Sequence, residues 1–594
     1  MYVASTGIVS TPLPATPVVN QPGAVAFVQA RHWYGGSNLG LGPRFGLAYS
    51  PIFKSGFLHT LFGDGTKSVI RLGYGIAFDT ISSFQVTAAA GRIPGLVQSC
   101  TTTFPYTTIT AGCTTAPGLG NTVSGGFPQL LPPPSVQPST LLIAPQQLRT
   151  NSPPITVFDP QMKLPTVHEW NFSIQRELPW GIVVQAAYIG RRGERLFMAY
   201  DANQINATAI VPSFLIMQQN RARGCTGFGT GTGCPAGVVG VVPPLFAQLQ
   251  AAGGLTAAQA TTFVNSSTTG GELDINSAGS FARRIEDTTL VMKLRPNQQF
   301  AVISKLDNSG DSNYNAAQIT LRRRFSSGLG LSMAYTFGKS IDNQSVDPVG
   351  ASSGGGLSTT NSRTPTDIRD FRNERARSDF DRTQVLALAT VWELPVGKGR
   401  HFMGSSHGVM NQVLGGWTIN SIYTFQTGEP FAVRSGSFTA NGNHESRAGV
   451  QAPVTAQLQT LPGQTFAGPV LFKPVNALSC GVDLTQAFCL PAPGENGAGR
   501  NIFVASNYWN LDLGFIKTFQ ISERFRVQFR MEMFNALNHP NFDNPRDASV
   551  GSPSIRSSVF AQTCCAAVAP PSTQTIVQTG ESARVIQFAA KFQF

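Results

Sequence analysis

The residues that could do chemistry in this chain are its cysteines, histidines and arginines. No G-x-S-x-G nucleophile elbow, phosphate-binding loop or dinucleotide fingerprint occurs. His168-Glu169 and His444-Glu445 lack the second histidine that a zinc-protease helix requires. Neither an enzyme nor a cofactor is therefore expected. The eight cysteines form close pairs: Cys100 with Cys113, Cys225 with Cys234, Cys480 with Cys489, and the adjacent Cys564 and Cys565. A zinc site would want C-x-x-C spacing with histidines nearby, and none of the seven histidines lies near these pairs. Short-range disulfides in an oxidising compartment fit better for the first three pairs. Neighbouring cysteines bridge only with strain, which leaves Cys564 and Cys565 open.

The chain has 43 Lys+Arg against 31 Asp+Glu, a net charge of +12. Its longest basic block, Arg322-Arg323-Arg324, lies inside a strand pattern, so nucleic acid is not an expected partner. Arg322, Arg324, Arg524, Arg526 and Arg530 fall on the polar side of alternating segments. There they would line a lumen and favour anionic solutes; the plainer alternative is solvated charge paired with residues such as Glu532. His539, with Asn535, Asn538 and Asn541, reads as a strand end shaped by asparagine turn chemistry.

The elements that would position these groups are strands. Between Asn507 and Asp543, Trp509, Leu511, Leu513 and Phe515 alternate with polar or small residues. After a polar turn, Phe525, Val527, Phe529, Met531 and Met533 alternate with Arg524, Arg526, Gln528, Arg530 and Glu532. A period of two places successive side chains on opposite faces. The pattern recurs at Pro43–Ser50 and Ser68–Asp79, in hairpins over Pro165–Arg192 and Asn313–Ser340, at Thr383–Leu394 and Gly416–Thr427, and in a last strand ending at Phe594. That makes eleven strands, with Gly23–Tyr34 a weak twelfth. Residues 1–42 otherwise read as irregular, and the segments 80–164 and 193–312 as long loops, with a short strand possible at Phe300–Leu306.

Short turns alternate with long loops. A β-sandwich has no need of that asymmetry, whereas a transmembrane β-barrel puts short turns on one side and long loops on the other. Charged residues are only 12% of the chain, against about 25% in soluble domains. No apolar run is long enough for a transmembrane helix. The N-terminus has no basic n-region or apolar h-region, so a signal peptide is not expected in this sequence.

Several stretches resemble the C-terminal barrel of Oar-like TonB-dependent receptors, in the order that family has them. They include PRFGLAYSP (43–51), HEWNFSIQRELPWG (168–181), SNYNAAQITLRRRFSSGL (312–329), GWTINSIYTFQTGEPF (416–431), GAGRN (497–501) and FRMEMFNALNHPNFDNP (529–545). The resemblance covers residues 43–594. It implies an all-β fold: an antiparallel transmembrane β-barrel with long extracellular loops, of which this chain would supply about the last 11–12 of about 22 strands. It also implies the outer membrane of a Gram-negative-type bacterium, with lipid and the barrel-assembly machinery as partners and Phe594 as the assembly signal. TonB-driven uptake of a scarce bulky solute (a siderophore-like chelate, an oligosaccharide or a peptide) would follow. Contact with TonB would run through a plug that this sequence lacks. The alternative is a plugless structural barrel, acting as a surface adhesin or passive pore. Eleven antiparallel strands leave the first and last running the same way, so closure needs Gly23–Tyr34 as a twelfth strand or further strands from elsewhere.

Overall fold

The structure, a computed structural model, describes residues 2–6, 25–29, 40–80, 102–103, 108–109, 155–251, 253–289, 291–297, 302–345, 365–462, 469–521, 524–542, 544–545, 552–563 and 583–594. Eleven strands form its main sheet: β1 (Arg44–Tyr49), β2 (Ser68–Phe78), β3 (Thr166–Leu178), β4 (Ile182–Asp201), β5 (Ile303–Ser326), β6 (Leu329–Asp342), β7 (Gln384–Glu393), β8 (Trp417–Gln426), β9 (Tyr508–Gln520), β10 (Arg526–Phe534) and β11 (Val585–Gln593). Each pairs antiparallel with its neighbour in sequence, so the sheet is a plain meander from β1 to β11. These are the strands that the alternation predicts.

The register carries the alternation across the sheet. Tyr49, Ile70, Ile174, Ala186, Ile319, Tyr335, Leu386, Phe425 and Trp509 lie side by side in one row. The next row, on the other face, runs Val69, Gln175, Gln185, Thr320, Ala334, Ala387, Thr424 and Asn510. A slip of one residue in any pair would exchange the faces. The apolar face is uncovered: Ile319 is 43% and Phe588 65% exposed.

The sheet is open among the described residues. β1 and β11 each have one neighbour, and the expected twelfth strand does not join them. Instead Val25–Gln29 pairs with Tyr2–Thr6 as a separate two-stranded sheet.

Because the strands alternate in direction, the connections at 50–67, 179–181, 327–328, 394–416 and 521–525 share one end. Those at 79–165, 202–302, 343–383, 427–507 and 535–584 share the other. At that second end β4 and β5, of 20 and 24 residues, outrun their neighbours. Ile155–Phe158 adds a short parallel partner to Ile303–Leu306, so of the strand expected at Phe300–Leu306 the part Ile303–Leu306 is the start of β5, and Phe300 lies outside the described residues.

The all-β expectation needs correcting at this end. Besides α1 (Gly56–Phe62) in the β1–β2 link, the link from β4 to β5 is helical: α2 (Val211–Ala222), α3 (Pro244–Leu249), α4 (Ala257–Val264), α5 (Ser267–Asp274) and α6 (Ala278–Thr289). Thr256 and Gln259 close a capping box on α4, and the Ser266 hydroxyl accepts from Thr269 N at α5. Phe214, Met217, Leu245, Leu249, Val264, Phe281 and Ile285 bury one another in a small core. A run rich in Ser, Thr, Gly and Asn reads as loop because each helix is short and its apolar positions make sense only once the helices pack. The links β8–β9 and β10–β11 build a second core around Phe431, Phe472, Phe488, Phe503 and Phe560. Phe472 and Phe488 meet edge-on with centroids 4.9 Å apart, while Phe472 and Phe560 stack.

Candidate functional site

The charged run at 369–382 and the motif GAGRN at 497–501 come from different connections, and the fold brings them together. Arg500 is the centre. Its guanidinium is buried and donates to the Asp342 carbonyl at 2.8 Å, the Asp342 carboxylate, the Glu374 carbonyl at 2.9 Å and Ser345 Oγ at 3.1 Å. Asp379 completes the set at 3.4 Å. The five donors of the fork thus face acceptors held by β6 and by the 343–383 connection. Asn501, with φ 53°, donates to the Arg377 carbonyl at 2.8 Å and to Asp379 Oδ1 at 2.7 Å.

A second buried pair lies alongside. Arg447 Nη1 meets the Glu374 carboxylate at 3.1 Å, and its Nε donates to the Ala498 carbonyl at 2.7 Å. Glu374 also accepts from the Thr366 amide and hydroxyl, at 3.0 and 2.6 Å. Burial pushes the Glu374 carboxyl up, but the Arg447 charge and these hydrogen bonds outweigh it and hold the group below the usual carboxylate range. Gly497, at φ +76°, lies so close to the Arg447 carbonyl that a Cβ there would collide with it. The first glycine of GAGRN is therefore a packing requirement of this junction. His444, fully buried nearby, is pushed down to about 4 by its burial.

On the solvent side of the junction is a cavity of ≈ 530 Å³ lined by Arg372, Arg375, Arg377, Arg500, Asn501 and Ile502, among others. Arg375 is exposed and paired with Asp311, and Arg377 lies 3.9 Å from Asp381. The exposed Arg372 guanidinium has no ion-pair partner among the described residues. Planar forks around a wall that includes Ile502 and Val504 suit a carboxylate- or phosphate-bearing molecule with an apolar part.

The predicted arginines are elsewhere. Arg322 and Arg324 precede the tight turn at 327–328, Arg524 lies in the turn at 521–525 and Arg526 follows it, and all four are exposed at the end of the sheet opposite the cavity. Arg530 is further along β10, on the same face as Glu532, and donates to Gln528 Oε1 at 2.8 Å. Glu532 meets Gln587 rather than an arginine. The sequence shows the run 369–382 as charged, but which of its groups are neutralised depends in part on distant residues: Glu429, Asp311, Arg447 and Arg500 meet it from 47, 64, 73 and 121 positions away.

Disulfides join Cys225 to Cys234 in the helical connection and Cys480 to Cys489 beside the phenylalanine core. Cys100, Cys113, Cys564 and Cys565 lie outside the described residues. Asn535 and His539 exchange backbone and side-chain hydrogen bonds of 2.9 Å, and Asn541 holds both backbone groups of Trp509. That cluster forms the turn after β10. Phe594, the residue after β11, is 98% exposed.

Residues 7–587 match the family model described as outer membrane beta barrel domain. No curated protein matches the chain. Among solved structures it is similar to the outer membrane transporter YddB from Escherichia coli, at 7% identity and a TM-score of 0.37, over 96% of this chain and 42% of that one. It is similar also to a mutant ferric enterobactin receptor from Pseudomonas aeruginosa, at 8% identity and a TM-score of 0.32, over 93% and 40%. A third is the siderophore receptor PiuA from Acinetobacter baumannii, at 8% and 0.32, over 93% and 35%. The chain thus spans about two fifths of the length of the structures it matches.

Proposed function

Since this chain belongs to the outer membrane beta barrel domain family, a non-enzymatic family of the outer membrane, we propose that it is the ligand-gathering, C-terminal part of a TonB-dependent receptor. The solute it takes up is scarce, bulky and anionic. The observation that carries this reading is the arginine-lined cavity, held in shape by the buried Arg500–Asp342 and Arg447–Glu374 pairs. Loops built only for adhesion have no need of so many satisfied buried charges, whose desolvation is costly unless the geometry is exact enough to repay it.

The open sheet supports the same reading. Unpaired backbone groups in lipid cost several kcal/mol each, so both edges must find partners. β1 and β11 run in the same direction, so an odd number of further antiparallel strands is needed to close the barrel. A second copy in the same membrane orientation would meet these edges in parallel. An eleven-strand segment would meet them correctly and complete a barrel of about 22 strands.

The test uses the natural outer-membrane protein. Binding of inorganic phosphate and of a tri-aspartate peptide is measured for the parent and for an Arg372→Gln/Arg377→Gln variant. Loss of charge-assisted hydrogen bonds weakens binding by about tenfold or more. Equal affinities would sink the cavity as the ligand site. Uptake that survives removal of TonB would replace active transport with a passive pore.

A further inference from the structure

The short-turn end carries two helices that expose apolar residues, and one of them is built inside out. α1 spans Gly56–Phe62 in the β1–β2 connection, and α7 spans Gly408–Leu414 in the β7–β8 connection. A surface helix ordinarily turns its apolar stripe inward. α7 does the reverse. Val409, Met410, Val413 and Leu414 occupy one face and are 79, 55, 57 and 40% exposed. The opposite face holds the helix to the protein. Asn411 Oδ1 accepts from the Lys398 amide at 2.7 Å, and Gln412 Nε2 donates to the Gln520 carbonyl at 3.1 Å. α1 shares the exposed apolar residues, though not the polar inner face: Phe57 is 78% and Leu58 45% exposed, while Phe62 packs on Phe53 and the Thr60 carbonyl takes a 2.7 Å bond from Arg176.

Two observations say what covers these faces. The first is continuity with the apolar face of the sheet. Trp417, the first residue of β8, belongs to the row Trp417, Lys517, Phe529 and Ala590. Its indole N–H donates to the Val413 carbonyl at 2.9 Å, fastening α7 to that face. The second is charge. The two connections contain Lys54, Lys67, Lys398 and Arg400, the last paired with Glu393 at 2.7 Å, against a single acidic residue of their own, Asp64. Exposed apolar residues beside a basic excess fit anionic phospholipid headgroups over acyl chains.

We propose that α7 and α1 are interfacial anchors that lie in the phospholipid leaflet on the short-turn side, apolar face down. They fix the height of the barrel in the membrane from one side, while the loops at the other end stay free to engage solute. Neither role depends on what the barrel transports.

The test places the natural protein in vesicles of phosphatidylethanolamine and phosphatidylglycerol. Val409→Trp and Phe57→Trp serve as reporters, read as difference emission against the parent; Val482→Trp, on an exposed loop at the other end, is the control. Both reporters shift to the blue and lose emission to lipids brominated near the headgroup, while the control loses it only to aqueous acrylamide. Reporters that behave like the control overturn the proposal. The unmodified protein gives a second reading through a photoreactive phospholipid. Peptides covering 408–414 acquire cross-links; cross-links confined to strand peptides overturn it.

Discussion

Ile319 lies in the middle of β5 and is 43% exposed; Leu306, thirteen residues earlier on the same strand, is completely buried. The contrast holds for the two regions as a whole. The buried apolar side chains collect in the long connections and in the strand extensions that reach them, with Phe214, Phe281, Phe472 and Phe488 each below 2% exposure. In mid-sheet the large apolar residues point outward. One chain therefore contains an ordinary water-excluding core and an inverted one. The loops must build a core of their own because the hydrophobic effect that stabilises them requires water outside. The sheet, in hydrocarbon, is held by its complete ladder of backbone hydrogen bonds.

The largest expected effect would break this division if it spread. Arg500→Ala leaves the Asp342 carboxylate buried without its partner, a loss of about 3–5 kcal/mol. The long loops become protease-sensitive while the sheet stays heat-modifiable and membrane-inserted. Loss of insertion as well would mean that the two regions fold as one unit.

Ile319→Arg tests the sheet in the same way. It places charge on the face read as lipid-facing and costs about 2–4 kcal/mol near the midplane. Gln318→Arg, one residue away on the other face, is tolerated. Equal losses of insertion efficiency would overturn the facing of every strand in that row.

Acid should separate the regions by pH alone. His444 is held neutral by burial, with its folded value pushed down to about 4 from 6.5. The unfolded loops then bind a proton that the folded loops do not, so their stability falls as pH drops below about 6.5 and continues to fall to about 4. By pH 5 the loss is about 2 kcal/mol. Loop proteolysis measured across that window should rise more steeply for the parent than for His444→Phe. A sheet that titrates in parallel would argue against the distinction.

The smallest effect sharpens the comparison. Arg191 and Glu169 form a 3.0 Å pair on the sheet with both side chains about half exposed. Glu169→Gln changes stability by less than about 1 kcal/mol, against several for the buried Arg500 pair. A thermal-unfolding difference as large as that of Arg500→Ala would show that exposure is a poor guide here.

Strand existence, order and facing were legible because period-two alternation is a local property. Ser68–Asp79 was expected and Ser68–Phe78 is observed; the tight turn at 179–181 and both strands around it fall where the pattern places them. The helical connection was not legible, since α6 shows its apolar spacing (Ala278, Phe281, Ala282, Ile285) over barely three turns within a loop-like composition. Nor was the candidate site. The arginines that periodicity singles out, Arg322 and Arg324 among them, fall at the far end from the cavity. Those that line it, such as Arg372 and Arg500, come from irregular segments without a period to read.

The sequence by itself determined the strands, their two faces and the asymmetry of their ends, because alternation is set by residues within about ten positions of one another and the asymmetry by the spacing between alternating segments. Only the tertiary structure decided that Val25–Gln29 leaves the sheet open, that α7 faces outward, and that Arg500 neutralises Asp342 across 158 positions. Those outcomes depend on which distant groups meet, and a buried charge or an uncovered apolar face is defined by its neighbours in space rather than in sequence.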